Sequence, residues 1–235
     1  MAWVSPDEQR YVAHVVGTFG GWLTEAEGAF LYALAARGPE VGAIVEIGSN
    51  RGKSTALLAR AARLAGRERV HAIDPHRGGT EAEFRANLAR EGLDDWVIPH
   101  VAKSQEFVST WRDPIRLLFI DGLHTYEGVR ADYTDWAPFV VGGGVIALHD
   151  TFQWDGPRRV VEETILGARD TFLVGIVDSI TAVQKLPRQG FTRRSQHAGL
   201  RLSRSLYLFS RRKGIPGDLR KACKRMLHAL SQPPS

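Results

Sequence analysis

The chain has 235 residues, of which 43% are hydrophobic and 24% charged, and its formal net charge is +5. This ordinary globular composition excludes wholesale disorder, and 24 glycines without a Gly-X-Y period exclude a collagen. The single cysteine, Cys223, excludes an internal disulfide framework and a cysteine-based zinc site, and no apolar run reaches the ~18 residues of a membrane span.

The net charge is divided unevenly along the chain. Residues 186–235 contain 12 Lys and Arg but one acidic residue, Asp218, so they carry +11, whereas residues 1–185 carry −6. The sequence therefore predicts an acidic body with a basic extension. The first residues include acids where a secretory signal has bases and then an apolar stretch, so we expect a cytoplasmic protein.

Hydrophobic periodicity and turn residues predict helices and strands that alternate along the body. Thr24 and Glu27 form a capping box that opens an apolar helix. Residues 1–22, which end near the pair Gly20-Gly21, are either a hinged lid or a simple linker. The predicted strands are 43–47, 70–74, 97–101, 115–121, 144–148, 171–177 and 180–185, and the predicted helices between them are 52–64, 81–91, 105–111, 126–136 and 157–166.

Strands that alternate with helices in this way are typical of a parallel sheet covered on both faces. We therefore predict an α/β fold with a doubly wound sheet. Its parts are a helical N-terminal segment at 1–40, a body at 41–185 and the basic extension at 186–235. Ligands of such sheets bind outside the carboxyl ends of the strands, so polar residues at those ends are the candidate site residues.

The first predicted strand runs into a glycine-bearing turn, where backbone N–H groups can approach a ligand closely. A P-loop needs its first glycine at the position of Ile47. A dinucleotide fingerprint needs a glycine at Asn50, which disfavours a nicotinamide oxidoreductase. The pattern E-x-G-x-x-x-G, by contrast, fits Glu46, Gly48 and Gly52 without a gap.

Asp74 ends the second predicted strand, 22 residues after Gly52. A carboxylate at this place can accept hydrogen bonds from both ribose hydroxyls of an adenosine. The alternative is a carboxylate that caps the next helix. Asp132, Asp135 and Trp136 fall on a later helix, where we expect surface and core residues rather than catalytic ones.

A second group of polar residues follows two later strands. Asp121 ends one strand and His149-Asp150 end the next, and neighbouring strand ends lie about 5 Å apart, so two carboxylates and an imidazole can converge. Such donors suit Mg²⁺, Mn²⁺, Fe²⁺ or Zn²⁺. His124, whose ordinary pKa is near ~6.5, suits a general base. The alternatives are a hydrogen-bonded loop histidine at 149, a capping Asp150, and a His124 that contacts a cofactor or loop backbone.

The stretch 44–55, with Asp74 downstream, resembles class I S-adenosylmethionine-dependent methyltransferases, and the resemblance covers about residues 20–185. The segments 119–127 and 142–150 are similar to those of small-molecule O-methyltransferases, including divalent-metal-dependent enzymes that act on catechols or on sugars of natural products. The resemblance implies a mostly parallel seven-stranded sheet with an antiparallel last strand, and S-adenosylmethionine as cofactor.

The resemblance also implies roles for individual residues. It places Asp121 near the methionine moiety, assigns a divalent cation such as Mg²⁺ or Mn²⁺ to Asp121, His149 and Asp150, and makes His124 the base. In the family an acid is commoner at the position of His149. Ser104 contacts the adenine, unless it is the N-cap of the helix that follows. The full set of implied cofactor contacts is Glu46, Gly48, Ser49, Gly52, Ser54, Asp74, Ser104 and Asp121.

These observations predict an O-methyltransferase that transfers a methyl group from S-adenosylmethionine to a hydroxyl of a small molecule, with a sugar or glycosylated metabolite as the favoured acceptor. The alternative is a non-catalytic relative of the same fold, whose basic extension binds an anionic membrane or a partner.

The extension itself contains a basic amphipathic helix, which Asp218 is expected to cap and which runs to about Leu230. It can pack on the body or on a second copy in a homo-oligomer, or lie peripherally on the inner membrane surface. Nucleic acid is disfavoured, because no recognition motif accompanies the arginines and lysine that could meet phosphates, which are Arg193, Arg194, Arg211, Arg212 and Lys213.

Overall fold

Seven strands form one central sheet in the order β3-β2-β1-β4-β5-β7-β6. Strand β7 runs opposite to the other six strands, which all share one direction. This is a computed structural model, and it describes residues 3–168, 170–186, 194–211 and 216–233, without the side chains of 194–197. The predicted doubly wound α/β fold is confirmed. The strands are β1 Ala43–Ile47, β2 Val70–Ile73, β3 Val97–His100, β4 Ile115–Ile120, β5 Val140–Leu148, β6 Thr171–Val177 and β7 Ile180–Lys185.

Helices cover both faces of the sheet. They are α1 Pro6–Thr18, α2 Glu25–Ala36, α3 Lys53–Leu64, α4 Glu81–Arg90, α5 Ser104–Phe107, α6 Tyr126–Trp136, α7 Asp155–Val160, α8 Arg194–Ser210 and α9 Gly217–Leu230. None of the helices in the described ranges is long and apolar enough to span a bilayer.

The central strands supply side chains to two separate cores. In β1, Ile44 belongs to the core that also contains α1, α2 and α3, whereas Val45 belongs to the core on the other face. The same alternation recurs in β4 at Leu117 and Leu118. Because successive strand residues point to opposite faces, a continuously apolar strand must be covered on both sides.

The N-terminal segment contains a helix that the periodicity analysis misses. Helix α1 begins with a second capping box, formed by Ser5 and Glu8, and buries Val12 and Val15 completely. The linker alternative is therefore wrong for residues 6–18, because this segment is part of the core. Only the bend that follows it, through Gly20 and Trp22, is left as a candidate lid.

The described part of the basic extension packs on the body. Helices α8 and α9 lie against each other and against the edge strand β6, and they bury Leu200, Cys223 and Leu227. After α9, Ser231 bonds through its hydroxyl to the backbone of Ile176, which covers part of the open edge of β6.

Two expectations for the extension need correction. Helix α9 begins at Gly217 with Pro216 as N-cap, so Asp218 lies inside the first turn and caps nothing. The apolar face of α9 is also divided, since Leu219, Ala222 and Met226 are exposed while Cys223 and Leu227 are buried. Arg193, Arg212 and Lys213, considered for nucleic-acid binding, lie outside the described residues.

The turn between β6 and β7 ties the two ends of the chain together through Asp178. One carboxylate oxygen of Asp178 lies 2.8 Å from Nζ of Lys224 and 2.7 Å from Nε2 of His228, both on α9, and the other accepts a hydrogen bond of 2.7 Å from Thr24. Burial by itself raises the pKa of Asp178, but these contacts outweigh it and hold the pKa below its ordinary value of 3.8.

The Asp178 contacts predict a pH-dependent contribution to stability. Asp178→Asn should lower the free energy of unfolding by about 2 kcal/mol at pH 7, because it removes a buried charge with three partners. Since the folded pKa is depressed, this contribution is complete above the ordinary pKa of the carboxylate and is lost as the pH falls below it. Urea denaturation should show that the difference in the free energy of unfolding between the unaltered protein and Asp178→Asn is smaller at pH ~2.5 than at pH 7.

The matched control is Asp218→Asn. The Asp218 side chain is 96% exposed and lies on α9, the helix that carries Lys224 and His228. We expect this substitution to change stability by less than about 0.5 kcal/mol. Equal losses in the two variants, or a difference that does not become smaller in acid, would contradict the role assigned to Asp178.

Candidate active site

A cavity of about 480 Å³ opens at the carboxyl ends of β1, β2, β4 and β5. The strand order reverses between β1 and β4, and ligands of doubly wound sheets bind at such a switch point. Seven of the residues that the sequence analysis assigned to catalysis, cofactor or metal line this cavity. They are Gly48, Asp74, Ser104, Asp121, His124, His149 and Asp150.

The glycine turn after β1 brings two strand ends into backbone contact. Gly48 has φ +92°, and a Cβ added there would overlap the carbonyl oxygen of Asp121. Its N–H donates to the carbonyl of Ile73, so the same residue contacts the ends of β2 and β4. Only glycine combines this conformation with so close an approach.

Lys53 shows why the turn is not a P-loop. Its Nζ donates to the carbonyls of Val16 and Gly21, at 3.0 and 2.7 Å, and it is nearly buried. The side chain therefore points to the N-terminal segment, where it fixes the bend after α1, and it is not available to a phosphate in the cavity.

Glu46 supports the turn from below. Its carboxylate is fully buried and accepts hydrogen bonds of 2.5 Å from the hydroxyls of Ser54 and Thr55 at the start of α3, and burial raises its pKa to about 7. Ser49 is buried as well, and its hydroxyl has no hydrogen-bond partner among the described residues. Four implied cofactor contacts thus lie outside the cavity lining, namely Glu46, Ser49, Gly52 and Ser54.

Asp74 is fixed at the rim of the cavity by backbone donors. Its two oxygens accept from the N–H groups of Asn50, at 2.8 Å, and His76, at 2.7 Å. The helix-capping alternative is wrong, because α4 begins after Thr80. Each carboxylate oxygen retains a free lone pair, so Asp74 can still accept hydrogen bonds from a ligand's hydroxyls.

Ser104 and Asp132 form a buried pair in the cavity wall. The Ser104 hydroxyl donates to Asp132 over 2.5 Å, and Gln105 donates to the same oxygen over 2.7 Å. Lys103, not Ser104, is the N-cap of α5. Asp132 is 2% exposed and burial raises its pKa to about 6, so the expectation of a solvated surface residue is wrong. The sequence did contain a signal for this burial, because Asp132 lies three residues after Val129 and therefore on the same buried face of α6.

At the opposite side of the cavity, His149 is buried among three carboxylates. Its Nδ1 lies 3.2 Å from Asp121 and 3.5 Å from Asp150, and its Nε2 lies 3.6 Å from Glu27. Burial by itself lowers the pKa of His149, but Asp121 above all, with Asp150 and Glu27, raises it to about 12. Both ring nitrogens of His149 therefore already face carboxylates of the protein, which suits neither a metal ligand nor a base.

His124 lies nearer the solvent in the same cluster. Its Nε2 is 3.1 Å from Asp150 and 3.8 Å from Asp121, and its ring stacks on Trp154 with a centroid distance of 4.9 Å. Asp121 and then Asp150 raise its pKa to about 9. The two carboxylates thus move the pKa of His124 away from the ordinary value assumed for a base at this position. Asp150 binds His124 rather than capping a helix, since Trp154 is the N-cap of α7.

These positions change the expected metal set. Donor atoms of Asp121, His124 and Asp150 all lie within 4.8 Å of one another, and each residue is partly exposed. His149 drops out of the set because its ring is held between carboxylates. Two carboxylates and an imidazole are donors that suit a divalent cation such as Mn²⁺, and His124 can supply the imidazole that was expected from His149.

The sequence analysis did not identify two further features of the site. Glu27 was recognised only as a capping residue, although one of its oxygens faces His149. Trp22 lines the cavity with 88% of its surface exposed, and Trp154 is 53% exposed beside His124. Exposed tryptophans carry no periodic signal, so only the folded chain shows that Trp22 lines the cavity and that Trp154 stacks on His124, which also lines it.

Comparison with known proteins places this cavity in a fold that methyltransferases share. Residues 45–151 match the family model described as a methyltransferase domain, which spans the four cavity-lining strand ends. The solved structure of an O-methyltransferase from Bacillus cereus in complex with S-adenosylhomocysteine is 21% identical, covers 77% of this chain and 92% of that chain, and has a TM-score of 0.58.

Two other structures illustrate how widely this fold is used. The TDP-rhamnose 3'-O-methyltransferase CalS11 of calicheamicin biosynthesis is 16% identical over 77% of this chain and 95% of its own, with a TM-score of 0.54. An rRNA methylase from Streptococcus thermophilus is 17% identical over 68% and 93%, with a TM-score of 0.52. At such identities the likeness concerns the fold and leaves the methyl acceptor open.

The close approach at Gly48 yields a prediction. Gly48→Ala should lower the free energy of unfolding by about 3 kcal/mol or more, because the new methyl group overlaps backbone that cannot move without parting β1 from β4. Gly17→Ala is the control, since a Cβ at this exposed position in α1 meets nothing within 4 Å. It should leave stability unchanged or raise it by up to ~1 kcal/mol. Similar denaturation curves for both variants would refute the constraint.

Proposed function

We propose that this chain, which is similar to methyltransferases in its family-model match and its fold, transfers a methyl group from S-adenosylmethionine to a hydroxyl group of a small molecule. One observation carries the proposal. A single cavity contains both the glycine turn with Asp74 and the cluster of Asp121, His124 and Asp150. A donor-binding half and a hydroxyl-binding half therefore share one cavity, as the transfer of a group between two bound molecules requires.

We assign the donor to the side of the cavity formed by the ends of β1, β2 and β3. Asp74 accepts the ribose hydroxyls, and Ser104, with its partner Asp132, lies where the adenine binds. Asp121 lies beside the methionine moiety, where a carboxylate favours the positive sulfonium. Gly48 and Asp74 are the cavity-lining residues that support this assignment most directly.

We assign the acceptor hydroxyl to the outer side of the cluster, next to His124 and Asp150. A divalent cation held by Asp121, His124 and Asp150 would supply Lewis acidity that lowers the pKa of an acceptor hydroxyl. His124 cannot be a cation ligand and the proton acceptor through the same nitrogen. Both roles need the neutral imidazole, so a bound cation would have to displace the proton that the raised pKa of His124 favours. In either role it orients the hydroxyl toward the donor.

The acceptor we favour is a sugar or glycosylated metabolite. Trp22 lines the cavity and Trp154 stacks on the cavity-lining His124, and both are exposed. Exposed aromatic faces of this kind stack on planar or apolar ring surfaces. The likeness to a sugar O-methyltransferase supports the same choice. The net charge of −6 on residues 1–185 disfavours a nucleic acid, because the body would repel the phosphate backbone.

Calorimetry with S-adenosylhomocysteine tests the donor assignment. We expect a Kd below ~100 μM for the unaltered protein and a loss of affinity of at least ~10-fold in Asp74→Ala, which removes the ribose acceptor. Asp95→Ala, at an exposed position away from the cavity, should bind like the unaltered protein. The absence of binding at ~100 μM would refute the proposed function and favour a non-catalytic relative of the fold.

His124 is tested by transfer of a labelled methyl group from S-adenosylmethionine to a panel of sugars, glycosides and catechols. His124→Ala should reduce transfer by ~10²-fold or more and leave the affinity for S-adenosylhomocysteine within ~2-fold. His14→Ala, a surface histidine paired with Glu91, is the control. Loss of transfer in EDTA, restored by Mn²⁺ or Mg²⁺, is expected for the ligand role, whereas unchanged turnover in His124→Ala would remove the residue from the reaction.

A further inference from the structure

Glu27 belongs to a capping box, but capping occupies only one of its oxygens. Oε2 accepts from the backbone N–H of Thr24 over 2.8 Å, as the third residue of a capped helix commonly does. Oε1 accepts from both the N–H and the hydroxyl of Ser179, at 2.7 and 2.5 Å, and lies 3.6 Å from Nε2 of His149. The carboxylate is 2% exposed, so it is buried next to the active-site cluster.

The other capping box of the chain provides an internal comparison. In α1, Glu8 bonds back to Ser5 in the same manner, but it is partly exposed, and no described contact links it to the cavity. Capping therefore explains the bond to Thr24 and does not explain the burial of Glu27. The burial of a charged carboxylate requires compensating partners, which here are Ser179 and His149.

His149 transmits this contact to the cavity. Its ring lies between Glu27 on one side and Asp121 on the other, and its edge faces the ring of Phe119. An imidazole whose two nitrogens each face a carboxylate has one favoured orientation, because a ring flip would move Nδ1 away from Asp121. The orientation of the Asp121 carboxylate in turn depends on the donor at Nδ1.

The turn that binds Glu27 is itself fixed on both sides. Ser179 follows Asp178, whose carboxylate is held by Thr24 and by two residues of α9. The carbonyl of Ser179 accepts from the backbone and hydroxyl of Thr151, directly after the His149-Asp150 pair. The residues that hold Glu27 are thus tied to the same segment that carries the cluster.

We propose that Glu27 is a positioning residue of the active site, which acts through His149 to orient the Asp121 carboxylate for methyl transfer. This inference rests on the proposed function for its kinetic consequence, but the contact between Glu27 and His149 belongs to the free protein. Glu27 lies more than a hundred residues before His149 and Ser179 in the sequence, and it does not line the cavity. It therefore affects turnover through geometry and leaves donor binding nearly unchanged.

Glu27→Gln tests the proposal, because it retains the size and the capping acceptor but removes the charge. We expect kcat for methyl transfer to fall on the order of 10–100-fold, while the KM for S-adenosylmethionine stays within ~2-fold. Glu8→Gln is the matched control at the equivalent position of the other capping box, and it should retain full kcat. Thermal denaturation of both variants shows whether they are folded.

A double-variant comparison separates positioning from a general loss of stability. If Glu27 acts through His149, Glu27→Gln should cause little further loss of kcat in a His149→Gln background. Losses that multiply in the double variant would overturn the proposal, and so would equal losses in Glu27→Gln and Glu8→Gln. Should Glu27→Gln fail to fold, Ser179→Ala removes one hydrogen bond to Oε1 and should lower kcat by about 3-fold.

Nuclear magnetic resonance of the ¹⁵N-labelled free protein gives a readout that does not need turnover. The ring nitrogens of His149, assigned by comparison with His149→Gln, should shift in Glu27→Gln and stay in place in Glu8→Gln. Unchanged His149 resonances in Glu27→Gln would overturn the proposal. If the unaltered protein binds no S-adenosylhomocysteine and transfers no methyl group, the proposed function fails, while these spectra still decide whether Glu27 orients His149.

Discussion

The packing of Gly48 against the backbone of Asp121 is the constraint on which the site depends. Strand β1 lies between β2 and β4, and its carboxyl end must turn toward a ligand without a side chain in the way. The N–H of Gly48 bonds to the last residue of β2, and its missing Cβ admits the chain that leaves β4. The donor side and the cluster side of the cavity therefore meet at the backbone of Gly48, and this contact sets their relative position.

Contacts between carboxylates and imidazoles hold together the cluster on the other side of Gly48. The carboxylates of Glu27, Asp121 and Asp150 surround two imidazoles, and both imidazoles have raised pKa values. The buried one, His149, lies between carboxylates at both of its ring nitrogens. The partly exposed one, His124, faces the cavity rather than the core, and it is the imidazole that we propose as a ligand of a divalent cation. Burial thus separates the roles of two histidines that look alike in the sequence.

The division of charge along the chain has a structural counterpart in the extension. Lys224 and His228 of α9 meet Asp178, and Arg204 of α8 is buried beside Glu162 and the ring of Phe152. Part of the positive charge is therefore neutralised by the acidic body. Leu219 and Met226 stay exposed on α9, near the basic residues of its outer face, so attachment to a second copy or to an anionic membrane surface stays a prediction for that face.

The sequence by itself determined the strands, most of the helices and the residues at the strand ends, because periodicity and glycine or proline signals are local. It did not reveal α1, whose short apolar stripe is recognisable only once Val12 and Val15 have a core to enter. Nor could it rank His124 and His149, place Asp132 in the cavity wall or connect Glu27 with the cluster. Those outcomes depend on burial and on contacts between segments that are distant in the sequence, such as Ser104 with Asp132 and Glu27 with Ser179. Such contacts determine pKa values and partners, and only the tertiary structure decides them.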